Sequence, residues 1–130
     1  MSIIPKQLII RKKSRFTSAE YLLFVREYQC LVCSQPSECH HTVFKGSGGN
    51  HASDLLVVPL CRKHHAEVHA LGSNDLFERK YTTHFETAIY RILKAFFRKH
   101  RLEWKEFASL ESLEDYVSSN LTSDETRAAG

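Results

Sequence analysis

The sequence predicts a small α+β domain in which a β-hairpin and the helix after it enclose bound metal, with further α-helices flanking them. Three observations predict it. Ten of the twelve Cys and His residues fall in the forty positions from Cys30 to His69. Inside that window two short β-prone stretches flank a glycine-rich loop and lead into a helical pattern that Gly72 stops. Farther on, Ala88, Ile89, Ile92, Leu93, Phe96 and Phe97 recur at the spacing of one apolar helix face.

Each element follows in order. Residues 1–17 form a basic N-terminal arm: Leu8-Ile9-Ile10 is an apolar run, and Arg11, Lys12, Lys13 and Arg15 suit either a solvated surface or a phosphate backbone. Thr17 or Ser18 is an N-cap, with Glu20 three residues after Thr17, for a helix over 18–28 that feeds a metal knuckle. Glu38 to Phe44 reads as a first strand, Lys45 to Asn50 as a flexible loop, and Leu55-Leu56-Val57-Val58 as a buried strand that Pro59 ends. Arg62 to Leu71 is a helix. Ser73 or Asn74 caps a further helix over about 75–80, and a longer one runs over about 84–100 with Arg91, Lys94, Arg98 and Lys99 opposite its apolar face. The body is thus 18–100. Trp104, Phe107, Leu110, Leu113 and Tyr116 predict a C-terminal helix within 101–117, before a polar, acidic tail over 118–130 expected to be disordered.

Composition narrows the classes. One hundred and thirty residues suit about one domain, and 42% hydrophobic with 25% charged residues excludes collagen-like, coiled-coil and wholly disordered chains. The longest apolar stretch, Leu55 to Leu60, is far short of the roughly 20 residues of a spanning helix, and Met1 to Ile10 lacks a signal-peptide core. A cytoplasmic protein with no membrane partner is the expectation. Clustered cysteines without a secretory signal predict thiolate ligands before disulfides. A domain this small buries only about 65% of its unfolded surface, so bound metal would be a natural second source of stability. Charge is uneven: residues 1–100 carry +7 and residues 101–130 carry −4.

Two metal constellations interleave. Cys30-x2-Cys33 with Cys61-x2-His64 forms two knuckles able to point four ligands at one tetrahedral ion, for which Zn²⁺ is the natural guest. The second joins His40-His41 on the first strand to His65-x3-His69 on the helix. Residues four apart share a helical face, so His65 and His69 can hold one ion, while His64, rotated by about 100°, serves the other. Adjacent strand residues face opposite ways, so at most one of His40 and His41 joins that second ion. The other is left for proton transfer.

CLVC, ECHH, the Gly-rich loop, SDLLVVPLC and RKHHAEVH together resemble an HNH endonuclease, whose ββα-metal core is a hairpin and helix around one divalent ion. More narrowly, HH…GSGG…SD…PLCRKHH…H resembles the phage-borne branch that includes the recombination-enhancement (Ref-like) nucleases, over about residues 20–100. The resemblance implies His40, His65 and His69 as ligands of the catalytic ion and His41 as general base. Where the family has Asn or a related residue bracing the loop and orienting the base, the candidates are Asp54 and Asn50; Asp54 has the context closer to the phage branch, although its spacing to Cys61 departs from the commonest form.

The implied chemistry suits the residue types. A neutral imidazole, with a free pKa of about 6.5, can take a proton from water attacking a phosphodiester near neutral pH. A divalent ion on three nitrogens, with open positions, would stabilise the growing charge. An all-imidazole set favours Zn²⁺, Ni²⁺ or Co²⁺ by affinity, while oxygen-rich open positions allow Mg²⁺ or Mn²⁺. Expected nucleic-acid contacts are Lys45, Arg62 and Lys63, with backbone shape rather than base edges read. Cleavage leaving a 5′-phosphate, phage DNA recombination or processing in a bacterial host, and a recombinase filament or other phage or host protein as partner are implied by the resemblance alone. The rival is a non-catalytic zinc module binding nucleic acid or a recombination protein, which has no use for a second imidazole set. A small-molecule zinc hydrolase would want a carboxylate base, and Glu67 points elsewhere on its helix.

Overall fold

A computed structural model describes residues 16–42 and 53–129, with side chains as far as Leu121. The basic run Arg11 to Arg15 and the loop residues Lys45, Asn50 and His51 lie outside the described residues.

Ser18 starts the first helix, α1 (Ala19–Arg26): its backbone is extended and its hydroxyl accepts from Tyr21 N at 3.1 Å. Glu20 takes no part in a capping box and lies 3.3 Å from His100 instead. Beyond α1 the chain turns through Cys30 to Ser34, where Ser34 N donates to the Cys30 carbonyl and Ser34 holds a left-handed φ of 65°. Strand β1 (Glu38–His41) then pairs antiparallel with β2 (Val57–Leu60), with His40 opposite Val58 and His41 opposite Val57.

The second strand starts two residues later than the sequence predicts and runs through Pro59. Ser53 explains the late start. Its hydroxyl accepts from Leu55 N and its carbonyl from Leu56 N, so those two donors are spent in a turn. Pro59 is tolerated because a two-stranded sheet leaves each strand one edge without a ladder partner. Its carbonyl accepts from Leu31 N at 3.1 Å and ties the knuckle to the strand.

Cys61 caps α2 (Arg62–Leu71), and Gly72 closes it at φ 71°. Ser73, rather than Asn74, caps α3 (Asn74–Tyr81), its hydroxyl accepting from Leu76 N. The long α4 (Phe85–Lys99) follows, with His84 at its N-cap. Residues 102–109 are not helical, so Trp104 and Phe107 lie ahead of the last helix, α5 (Leu110–Ala129). That helix extends where the sequence predicts a disordered tail. Leu110, Leu113, Val117 and Leu121 continue a buried stripe at helical spacing, which gives the segment an apolar face to bury.

The described residues therefore form a mixed α+β fold of one two-stranded sheet and five helices. A single core joins Tyr21 and Val25 of α1, residues 55–60, Val68, Phe77 and the apolar face of α4. Tyr21 and Phe96 meet edge to face at 4.9 Å. Among the described residues no helix is long and apolar enough to cross a membrane.

Candidate functional site

The knuckle after α1 and the start of α2 bring Cys30, Cys33, Cys61 and His64 together, their ligand atoms all within 4.8 Å of one another. Cys33 Sγ is 3.6 Å from Cys61 Sγ, and His64 Nδ1 is 3.2 Å from Cys61 Sγ and 3.7 Å from Cys30 Sγ. Zinc bonds of about 2.3 Å to sulfur and 2.0 Å to nitrogen, tetrahedrally arranged, separate donors by roughly 3.3–3.8 Å. Spacing and donor chemistry both fit, and the cluster could hold a metal ion such as zinc.

Backbone N–H groups approach two of the three sulfurs. Val32 N lies 3.4 Å from Cys30 Sγ, and His64 N lies 3.5 Å from Cys61 Sγ at the N-terminus of α2. Burial alone would raise the Cys30 thiol, but N–H groups of Cys61, Val32 and Cys33 aimed at it hold it below its ordinary value. The ring of His64 packs against Tyr81 at 5.1 Å, so α3 shields this cluster.

On the other side of α2, His65 and His69 share a face that meets His40 of β1. Ring centroids of His40 lie 5.1 Å from His65 and 5.2 Å from His69, and the two helix histidines bring their Nε2 atoms within 3.2 Å. One nitrogen from each ring lies within 4.8 Å of the others, so these three could also hold an ion. His40 is buried, His65 partly so and His69 exposed, which leaves the cluster open on one side. Burial pushes the His40 pKa down to about 4, so its ring is neutral near pH 7 and keeps a lone pair.

The next strand residue faces away, as alternation requires. His41 Nε2 lies 2.7 Å from Asp54 Oδ1, and the other carboxylate oxygen accepts from Ser18 N at 2.8 Å. Asp54 is thus fastened to the start of α1 while it holds the ring of His41, whose side chain is 34% exposed.

Not every expected residue lies at these clusters. Arg62 and Lys63 are exposed on the first turn of α2, and Arg62 Nε is 4.0 Å from Glu38 Oε1. Cys39 turns its thiol to the Leu22 carbonyl at 3.5 Å, and burial pushes its pKa up to about 11. Glu67 is engaged by Tyr81 Oη and Lys80, turned toward α3.

Two residues were missed by the sequence reading. Glu38 Oε2 accepts from His65 Nδ1 at 2.7 Å, and Asn74 Oδ1 lies 3.0 Å from His40 Nε2 while its amide donates to the Thr42 carbonyl. A signal existed for Glu38, which is two residues before His40 on the same strand and so shares its face. Asn74 carried none, because its local pattern reads as a helix cap.

A family model described as "Protein of unknown function (DUF968)" matches residues 5–98, a span that includes both clusters and the His41–Asp54 pair. One relative, "Uncharacterized protein YdfU" of Escherichia coli (strain K12), is 38% identical over 85 residues, covering 63% of this chain and 24% of its own. The chain therefore spans about a quarter of the length of the curated relative it matches. No solved structure matches.

Proposed function

The chain belongs to the DUF968 family, and we propose that it is a metal-dependent DNA endonuclease of the HNH type, built on a ββα-metal core with a structural zinc knuckle. The observation that carries this reading is the His41–Asp54 pair, 2.7 Å between ring nitrogen and carboxylate, on the strand that also supplies His40 to the three-histidine cluster. A zinc module that only binds has no use for an oriented, half-exposed imidazole beside a second set of metal donors.

Asp54 accepts the Nε2 proton of His41 and thereby leaves the lone pair on Nδ1. That nitrogen takes a proton from a water molecule as its oxygen attacks phosphorus. The bond to the 3′ oxygen breaks, leaving a 5′-phosphate and, once the oxygen is protonated from solvent, a 3′-hydroxyl. His40, His65 and His69 would hold the divalent ion, Mg²⁺, Mn²⁺ or Zn²⁺, which when bound supplies positive charge to the phosphate and the leaving oxygen. Arg62 and Lys63, exposed beside the cluster, meet the phosphate backbone without reading bases, and Lys45 is assigned the same role. A place in phage recombination or DNA processing, with a recombinase filament or another phage or host protein as partner, rests on the likeness of its motifs to the Ref-like branch.

Plasmid nicking by parent, His41→Ala and Asp54→Asn proteins, with Mg²⁺, Mn²⁺, Zn²⁺ or EDTA, tests this. The parent is expected to nick DNA with a divalent ion and to lose this in EDTA. His41→Ala should lose about 10²–10⁴-fold in rate while still shifting DNA in a gel. Asp54→Asn should lose less, because the ring remains but its tautomer is no longer held. Undiminished cleavage by His41→Ala would overturn the assignment, and a parent that shifts DNA without cutting it would favour a zinc-binding module.

A further inference from the structure

We propose that Glu38 and Asn74 are positioning residues that hold His65 and His40 in the tautomers and orientations a bound ion needs. The inference rests on reading His40, His65 and His69 as ligands of that ion, and adds the layer behind them.

For His65 the ring is held by a carboxylate. Glu38 Oε2 lies 2.7 Å from Nδ1, and a carboxylate only accepts, so the proton sits on Nδ1. The lone pair is then on Nε2, the atom 3.2 Å from His69 Nε2. For His40 an amide does the same work. Asn74 spends its Nδ2 on the Thr42 carbonyl, so Oδ1 is the atom presented to His40 Nε2 at 3.0 Å. An oxygen there requires a proton on Nε2, and a neutral ring protonated on Nε2 carries its lone pair on Nδ1. The two strand and helix rings are thus held by different nitrogens, each from behind.

Stability does not account for the Glu38 contact. The Glu38 and His65 side chains are 40% and 22% exposed, and a contact that open to water adds little to stability. Partners that accept from the second ring N–H of metal-bound histidines orient the ring and raise its basicity, and their loss typically weakens metal binding about 10–100-fold. Three independent features converge here. Strand alternation puts Glu38 on the face of His40, Ser73 takes the cap of α3 so that the Asn74 side chain is spared, and the Thr42 carbonyl sets which end of that amide faces the ring.

The test is Co²⁺ titration of full-length protein that holds zinc at its cysteine cluster, read by visible absorption in competition with a chelating dye. Glu38→Gln and Asn74→Ala are each expected to weaken Co²⁺ binding about 10–100-fold while the melting temperature without Co²⁺ stays near the parent's. Affinities within twofold of the parent in both variants overturn the proposal. Should a variant fail to fold, ring ¹⁵N spectra of the Co²⁺-free parent decide: protonation of His65 at Nδ1 and His40 at Nε2 supports it, and the opposite tautomer on either ring overturns it. A parent that binds Co²⁺ but leaves DNA intact counts against the nuclease and leaves this assignment standing. A parent that cuts DNA while both variants bind Co²⁺ as it does counts only against this assignment, and one that binds no Co²⁺ beyond the cysteine cluster overturns both.

Discussion

Single side chains in this protein divide into those that answer to their neighbours in sequence and those that answer to partners far along the chain. His64 and His65 are adjacent, and the rotation of about 100° between neighbours on a helix sends them to different clusters, as their spacing from Cys61 and His69 requires. Asp54 is different. Its grip on His41 depends on Ser18 N, thirty-six residues away, and no local pattern contains that contact. Tyr21 is the converse case, a polar atom without a counterpart: its ring is fully buried against Phe96, and among the described residues its hydroxyl has no hydrogen-bond partner. Burial accordingly raises its pKa well above the ordinary value. An unsatisfied buried hydroxyl costs about 1–3 kcal/mol, so Tyr21→Phe should leave thermal stability unchanged or raise it by about 1 kcal/mol. A clear fall in melting temperature would mean that the hydroxyl is bonded.

Elements form where local chemistry and tertiary contacts agree, and their ends move where the two differ. Gly72 after α2 and Ser18 before α1 are cap signals that the structure uses as the sequence presents them. Strand β2 shifts toward Pro59 because Ser53 consumes two backbone donors that a strand at Leu55 would need. The joint between α3 and α4 carries strain: Thr82 closes α3 in the left-handed region, φ 52° and ψ 49°, where a β-branched residue is disfavoured. Replacing it with glycine removes that strain, offset in part by greater freedom of the unfolded chain. Thr82→Gly is expected to raise stability by roughly 0.5–1 kcal/mol in chemical denaturation. A loss of similar size would show that the Thr82 side chain makes a contact worth more than its backbone costs.

At the scale of the whole molecule the cysteine cluster joins three segments that a small core alone would hold weakly: the turn after α1, the end of β2 and the first turn of α2. Zinc held at this cluster would contribute folding free energy directly. Removal of metal with a strong chelator, or Cys61→Ala, should therefore cost about 5 kcal/mol or more, lowering the melting temperature by roughly 20 °C. His69→Ala, at the exposed edge of the histidine cluster, should change the melting temperature of zinc-loaded protein by only a few degrees. Equal losses from Cys61→Ala and His69→Ala would refute the division into a structural and an open cluster. The tail belongs to this scale too, since Leu110, Leu113, Val117 and Leu121 are buried only because the body offers α5 a surface.

The sequence by itself determined the α+β character, the order of the elements and the four residues of the cysteine cluster, and it paired His65 and His69 with one of His40 and His41, because metal-ligand spacing and helical periodicity are properties of neighbouring residues. It did not contain the layer behind the ligands. Glu38 against His65, Asn74 against His40 and Ser18 against Asp54 join residues twenty-seven to thirty-six positions apart. Such pairs exist only once the hairpin, α2 and the starts of α1 and α3 have packed. The same holds for the length of α5, whose apolar face is buried only where tertiary packing offers it a surface.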